Sequence, residues 1–145
     1  MIKNWLLKKS NLLVIVAGFV FWAGQGQADM NVVGNWAGVD SDGDSASFVF
    51  NSDKSAEVKF EGVPLLSSSN MVNGSVEWIQ AVQADHRHLD VVILTGTGEE
   101  QGRIRMIARF VDEDRLEFFI SRDMKTRPTG FGLNEKVFQI NTTRQ

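Results

Sequence analysis

Arg103-Ile104-Arg105-Met106-Ile107-Ala108-Arg109-Phe110-Val111-Asp112 is followed by Glu113-Asp114 and then by Arg115-Leu116-Glu117-Phe118-Phe119-Ile120-Ser121-Arg122. In an extended chain successive side chains point to opposite faces. That puts Ile104, Met106, Ala108 and Phe110 on one face, with Arg103, Arg105 and Arg109 on the other. Leu116, Phe118 and Ile120 repeat the pattern after the two acidic residues. The period is two rather than 3.6, so the stretch reads as two strands joined by a tight turn.

The same period extends outward in both directions. It predicts strands over 32–39, 45–51, 56–61, 75–81, 89–97, 103–112, 115–122 and 133–143. Between them lie turn residues: Asp42-Gly43-Asp44, Ser52-Asp53-Lys54, the polar run 83–88, and the glycines of 96–102. The longest expected loop is 62–74, with Pro64, three serines and Asn70. Short strands at hairpin spacing without an intervening helix mean a sandwich or a barrel. Eight antiparallel strands in up-and-down order close naturally, with an interior that is filled or holds one small ligand. The expected fold is therefore an all-β, eight-stranded antiparallel barrel, spanning 29–145 as a single domain.

Residues 1–28 read differently. Lys3, Lys8 and Lys9 precede the apolar run Leu12 to Trp22, which gives way to Ala23-Gly24-Gln25-Gly26-Gln27-Ala28. A basic start, a short apolar centre and a small-x-small end form the signature of a cleavable, Sec-type signal peptide, with cleavage expected before Asp29. The apolar run is about 11–13 residues, short of the ~20 that a membrane-spanning helix needs. A periplasmic or secreted domain without a stable membrane anchor is the expectation. Cleavage removes three of the 15 Lys and Arg and none of the 18 Asp and Glu, leaving a net charge of −6. Phosphate backbones call for a basic surface, so no nucleic-acid partner is expected. The absence of cysteine excludes disulfides, thiolate metal sites and a cysteine nucleophile. About 117 residues can stand on a hydrophobic core alone.

Gly34-Asn35-Trp36, on the first strand just inside the mature chain, resembles the Gly-x-Trp of the lipocalin-like (calycin) barrels. The run from Arg103 to Phe131, with Arg127-Pro128-Thr129-Gly130-Phe131, is similar to small bacterial lipocalin-like domains. The likeness is one of pattern over the mature chain. It implies an eight-stranded barrel and an arginine near the last strand that packs over the first-strand Trp, for which Arg144 is the nearest candidate. The chain lacks the cysteine pair and the Thr-Asp-Tyr of true lipocalins.

The inward face is expected to carry Trp36, Phe48, Phe50, Val58, Phe60, Trp78, Val91, Ile93, Met106, Ala108, Leu116 and Phe118. One reading is a pocket for a small apolar ligand lined by Trp36, Phe48, Phe60, Trp78, Met106, Ala108 and Phe118, with room at Met106 and Ala108. The other is a barrel filled by its own aromatic side chains. On the outward face, Val92, Leu94, Ile107, Val111 and Phe119 form an apolar set on adjacent strands, where a solvated sheet face is normally polar. Such a patch marks a homodimer or protein-partner interface through Val92, Leu94, Ile107 and Phe119, unless a terminus or the 62–74 loop covers it.

Other groups carry less chemistry. Asp40, Asp42 and Asp44 surround a turn but lack the EF-hand spacing, and read as a solvated acidic hairpin. His86 and His88, the only two histidines, would ligate zinc or copper only if a third ligand converged, and read as surface groups. Arg103, Arg105 and Arg109 are expected to pair with acids such as Glu117. No catalytic constellation is visible: there is no Tyr, Cys or Gly-x-Ser-x-Gly, and the paired carboxylates lie in turns. The expectation is a non-enzymatic binding protein without cofactor or metal.

Overall fold

Nearly every alternating stretch becomes a strand, because each offers a continuous apolar face that only a shared core can bury. The computed structural model describes residues 29–61, 63–67, 73–134 and 136–145. Among the described residues nine strands follow in order: β1 (Gly34–Asp40), β2 (Ser45–Phe50), β3 (Ala56–Phe60), β4 (Val63–Ser67), β5 (Ser75–Val82), β6 (Arg87–Leu94), β7 (Glu100–Asp112), β8 (Arg115–Ser121) and β9 (Val137–Arg144). They form one antiparallel sheet in the order β4-β3-β2-β1-β9-β8-β7-β6-β5. Residues 1–28, expected as a signal peptide, lie outside the described residues.

Where this sheet meets itself follows from strand direction. Every neighbouring pair is antiparallel, so β4 and β5, at the two ends of a nine-strand list, run the same way. They cannot pair as a hairpin. Instead β5 reaches past β4 to β3: Ser55 and Glu77 form an antiparallel bridge, and the Trp78 N–H donates to the Lys54 carbonyl at 2.9 Å. Eight strands, β1 to β3 and β5 to β9, thus make a nearly closed antiparallel barrel. β4 is a short extra strand on the flank of β3, within the stretch expected as a loop.

Two strand ends also depart from expectation. β9 starts at Val137 rather than 133, and Asn134 instead makes a local bridge, its carbonyl accepting from the Val137 N–H at 3.2 Å. β6 begins at Arg87, inside the expected 83–88 turn, after the Gln83 N–H bonds to the His86 carbonyl and closes a tighter hairpin. That gain turns Arg87 into the barrel. The β1–β9 contact is close at Gly38, where a Cβ would collide with the backbone of Asn141.

Inward residues converge on one cluster that includes Trp36, Phe48, Phe50, Trp78, Met106, Leu116 and Phe118. One barrel end is closed by the segment 29–33. Val32 is fully buried there and accepts a hydrogen bond from the Trp36 indole N–H at 2.7 Å. Two arginines hold the segment: Arg87 donates to the Met30 carbonyl at 3.2 Å, and Arg144 to those of Val33 and Asn31 at 2.8 and 3.0 Å.

Candidate functional site

The interior comes first, because the residues expected to line a pocket all converge there. Trp36, Phe48, Met106, Ala108 and Phe118 are fully buried, Trp78 nearly so, and Phe60 is half-buried. They are brought together against one another. Phe48 stacks on Phe118 with ring centroids 4.2 Å apart, and Phe50 meets Trp78 edge-on at 5.8 Å. Trp36 contacts Phe110 at 5.7 Å, and Phe60 contacts Phe48 at 6.1 Å and Phe138 at 6.2 Å. These separations are those of aromatic rings in packed cores.

The interior also holds a charge that the sequence reading missed. Arg87 is 1% exposed; its guanidinium donates to the Gln80 side-chain oxygen at 2.8 Å and lies 4.9 Å from the Phe110 ring. Burial lowers its pKa. The signal was its place one register step before Leu89 and Val91, which is visible only once β6 is extended backwards.

Outside the barrel, the expected open apolar wall is not open. Ile107 and Phe119 are buried, Val92 is 5% exposed, and Leu94 is half-buried. Val111, by contrast, is 47% exposed. Among the described residues, the cover is not one of the two alternatives expected. It is the connection between β8 and β9, residues 122–134, which folds back across β7 and β6 as a strap. Phe131 lies edge-on to Phe119 at 5.4 Å and to His86 at 5.5 Å. Pro128 is buried. The strap is braced at its start, where Asp123 accepts from the N–H groups of Lys125 and Thr126 and from the Thr126 hydroxyl. These bonds, with Thr126 the largest cause, hold the Asp123 carboxyl below its ordinary pKa.

Arginines tie the strap to the wall. Arg127 donates to the Asp90 carboxylate at 2.9 Å and to the Met106 carbonyl at 2.8 Å. Asp90 is 4% exposed and also accepts from Arg103 at 3.0 Å. Arg103 continues to Glu100 at 2.8 Å; Glu100 first and Asp90 second raise the Arg103 pKa. Arg109 pairs with Glu117 at 2.7 Å and places its guanidinium 4.2 Å from the Phe131 ring. Arg105 donates to the Lys125 carbonyl at 3.1 Å, while its backbone N–H bonds to the Met124 carbonyl. The basic stripe is therefore what receives the strap. A sequence signal existed: a connection of this length holding Arg127, Pro128 and Phe131 is longer than a hairpin needs, and loops of that kind carry packing or function.

His86 and His88 lie at the strap's margin with ring centroids 5.4 Å apart, and both are half-buried. The Asp85 carboxylate lies 2.6 Å from His86 Nδ1, and this contact is the main cause of the lowered Asp85 pKa. Desolvation, then Arg127 and His86, lower the pKa of His88 against an opposing effect of Asp90. Among the described residues no group of three His, Asp or Glu side chains is placed to hold a metal ion. In the acidic turn, Asp40 accepts from the N–H groups of Asp42 and Asp44 at 2.8 and 2.9 Å, and Asp42 pairs with Arg122 at 3.1 Å.

At the closed end, the expectation attached to Arg144 is met: its guanidinium sits 4.3 Å from the Trp36 ring centroid. Near the strap's start a hollow of about 510 Å³ is lined by Ser121, Arg122, Asp123, Thr126 and Lys136. Leu133 stands in the open close by in sequence, 57% exposed. In comparisons with known proteins, no family model, no curated protein and no solved structure matches the chain.

Proposed function

We propose that this chain is an exported, non-enzymatic, lipocalin-like barrel that acts as a protein-interaction module through the outer wall of β6 to β8 and its strap. The observation that carries the reading is the stacking of Phe48 on Phe118 at 4.2 Å in the middle of the residues a ligand would need. A barrel that spends its interior on its own rings has its outside left for recognition. Export is supported by the basic, apolar and small-residue succession over 1–28. The lipocalin-like assignment is supported by Gly34-Asn35-Trp36 together with the Arg144–Trp36 contact. The non-enzymatic reading is supported by the lack of any nucleophile–base pairing in the sequence.

A lipophilic dye titration at neutral pH, with Trp36 and Trp78 fluorescence as readout, and sedimentation at pH 7.5 and 5.5 together test the proposal. The expected result is no uptake, together with concentration-dependent association in sedimentation that Leu133→Asp weakens. Tight uptake that Ala108→Trp abolishes would overturn the proposal in favour of a small apolar ligand held inside. A monomer at every concentration and at both pH values, giving no crosslinked product in the exported fraction, would equally overturn it.

A further inference from the structure

The strap is a cover laid over an apolar wall, fastened by ring packing and by a set of arginines. Phe119 and Ile107 would face water without it, and a solvated sheet face that apolar is unusual. Its fastening points among the described residues include the Arg127 fork on Asp90 and Met106, the Phe131 ring between Phe119 and Arg109, and the Arg105 contacts to Met124 and Lys125. The two histidines of the chain sit beside these points, with His86 5.5 Å from the Phe131 ring.

We propose that the strap is an acid-released cover, in which protonation of His88, set between His86 and Ile107 on the covered wall, loosens the strap from β6 to β8 and bares Phe119 and Ile107. The proposal rests on the reading of this wall as the contact surface and adds how access to it is regulated.

The charges around the histidines decide the direction. From the β5–β6 turn come Asp85 and His86, and from β6 itself comes Asp90. β7 contributes Arg103, Arg105 and Arg109, β8 contributes Glu117, and the strap contributes Arg127. Most of these charges are already committed. Asp90 is shared by Arg103 and Arg127, Glu117 is taken by Arg109, and Asp85 faces His86. A proton on His86 meets Asp85. One on His88 sits beside Ile107 in register, next to Phe119 under the Phe131 ring, with the His88 ring centroid 5.4 Å from that of His86. Desolvation first, then Arg127 and His86, oppose that proton, against Asp90. The folded state therefore disfavours the charged form of His88. A histidine whose folded pKa is depressed contributes stability above its unfolded value, here the ordinary 6.5, and loses it as pH falls through the lowered value. The strap is thus fastened at neutral pH and released on the acid side. Periplasmic or secreted proteins meet such pH changes directly, and histidine is the side chain suited to sense them.

Hydrogen exchange of the full mature chain tests this, with rates corrected for the intrinsic pH dependence. Between pH 7.5 and 5.5 the protection of residues 126–131 is expected to fall by about fivefold or more, while the strands keep theirs. His88→Asn, which stays neutral, is expected to hold the protection across the range; His88→Gln serves if the first variant does not fold. Phe131→Ala is expected to bind an apolar surface dye already at pH 7.5, showing that the dye reports the bared wall. Equal loss in wild type and the His88 variants, no loss in wild type, or loss of strap and strands together would overturn the proposal. Exchange reads the strap without a partner, so the two proposals separate. Release without association at any pH would sink the interaction reading alone, and association at neutral pH with an unchanging strap would sink the acid release alone.

Discussion

Arg144 and Trp36 face each other across β9 and β1 in register, with the guanidinium 4.3 Å from the indole centroid. The same guanidinium donates to the carbonyls of Val33, Asn31 and Glu113. It therefore joins the end-closing segment, the β7–β8 turn and the first strand at one point. Arg144→Ala should cost about 2–3 kcal/mol, from the cation–π contact and the charge-assisted hydrogen bonds together. Arg144→Lys should recover less than half, because an ammonium has no fork to span three carbonyls. Urea unfolding followed by Trp fluorescence measures both.

Phe118→Ala removes the ring stacked on Phe48. A loss of about 3–5 kcal/mol is expected, as for other large-to-small core changes. The variant should also acquire a dry cavity that takes up a small apolar probe where the wild type takes up none. Uptake by the wild type equal to that of the variant would show that the interior is not filled.

Arg127→Ala leaves the buried Asp90 carboxylate with Arg103 alone. A cost of about 2–3 kcal/mol is expected, below that of an ion pair fully broken, because one partner stays. Adding Asp90→Asn should restore part of it, since the charge left behind is then gone. A double-mutant cycle in chemical denaturation gives the coupling, and a value near zero would mean that the strap is not held by this pair.

Gly38→Ala tests the close approach of β1 to β9. The added methyl meets the Asn141 backbone, which can yield only if the strands part. The expected loss is about 1–3 kcal/mol. Exchange of the β1 amides should accelerate before that of β7, which lies on the far side of β8 and β9.

Period-two alternation made the barrel readable, because a strand with one buried face must write that face into every second residue. Phe48, Val58, Met106 and Phe118 all point where their spacing says. Three things escaped. β4 lies in a serine-rich stretch without alternation, where pairing with β3 rather than side-chain pattern defines the strand. Arg87 sits in an apparent turn, and only its register with Leu89 reveals an inward direction. The strap escaped because period-two reading stops where strands stop. Its anchors, Arg127 and Phe131, are meaningful only beside Asp90 and Phe119, which are 37 and 12 positions away in the sequence. Alternation also says which way Phe119 points, but nothing in it says what lies beyond.

The bond from Arg144 to the Val33 carbonyl joins positions separated by 111 residues. Closing so long a loop costs chain entropy that is recovered only when both ends are present and ordered. A growing or translocating polypeptide therefore cannot finish the barrel until residue 144 has emerged, however early the first hairpins form. Until then Trp36 lacks its cap, and β1 has one neighbour instead of two. The clasp thus makes the fixing of β1 depend on the arrival of β9, its partner from the far end of the fold.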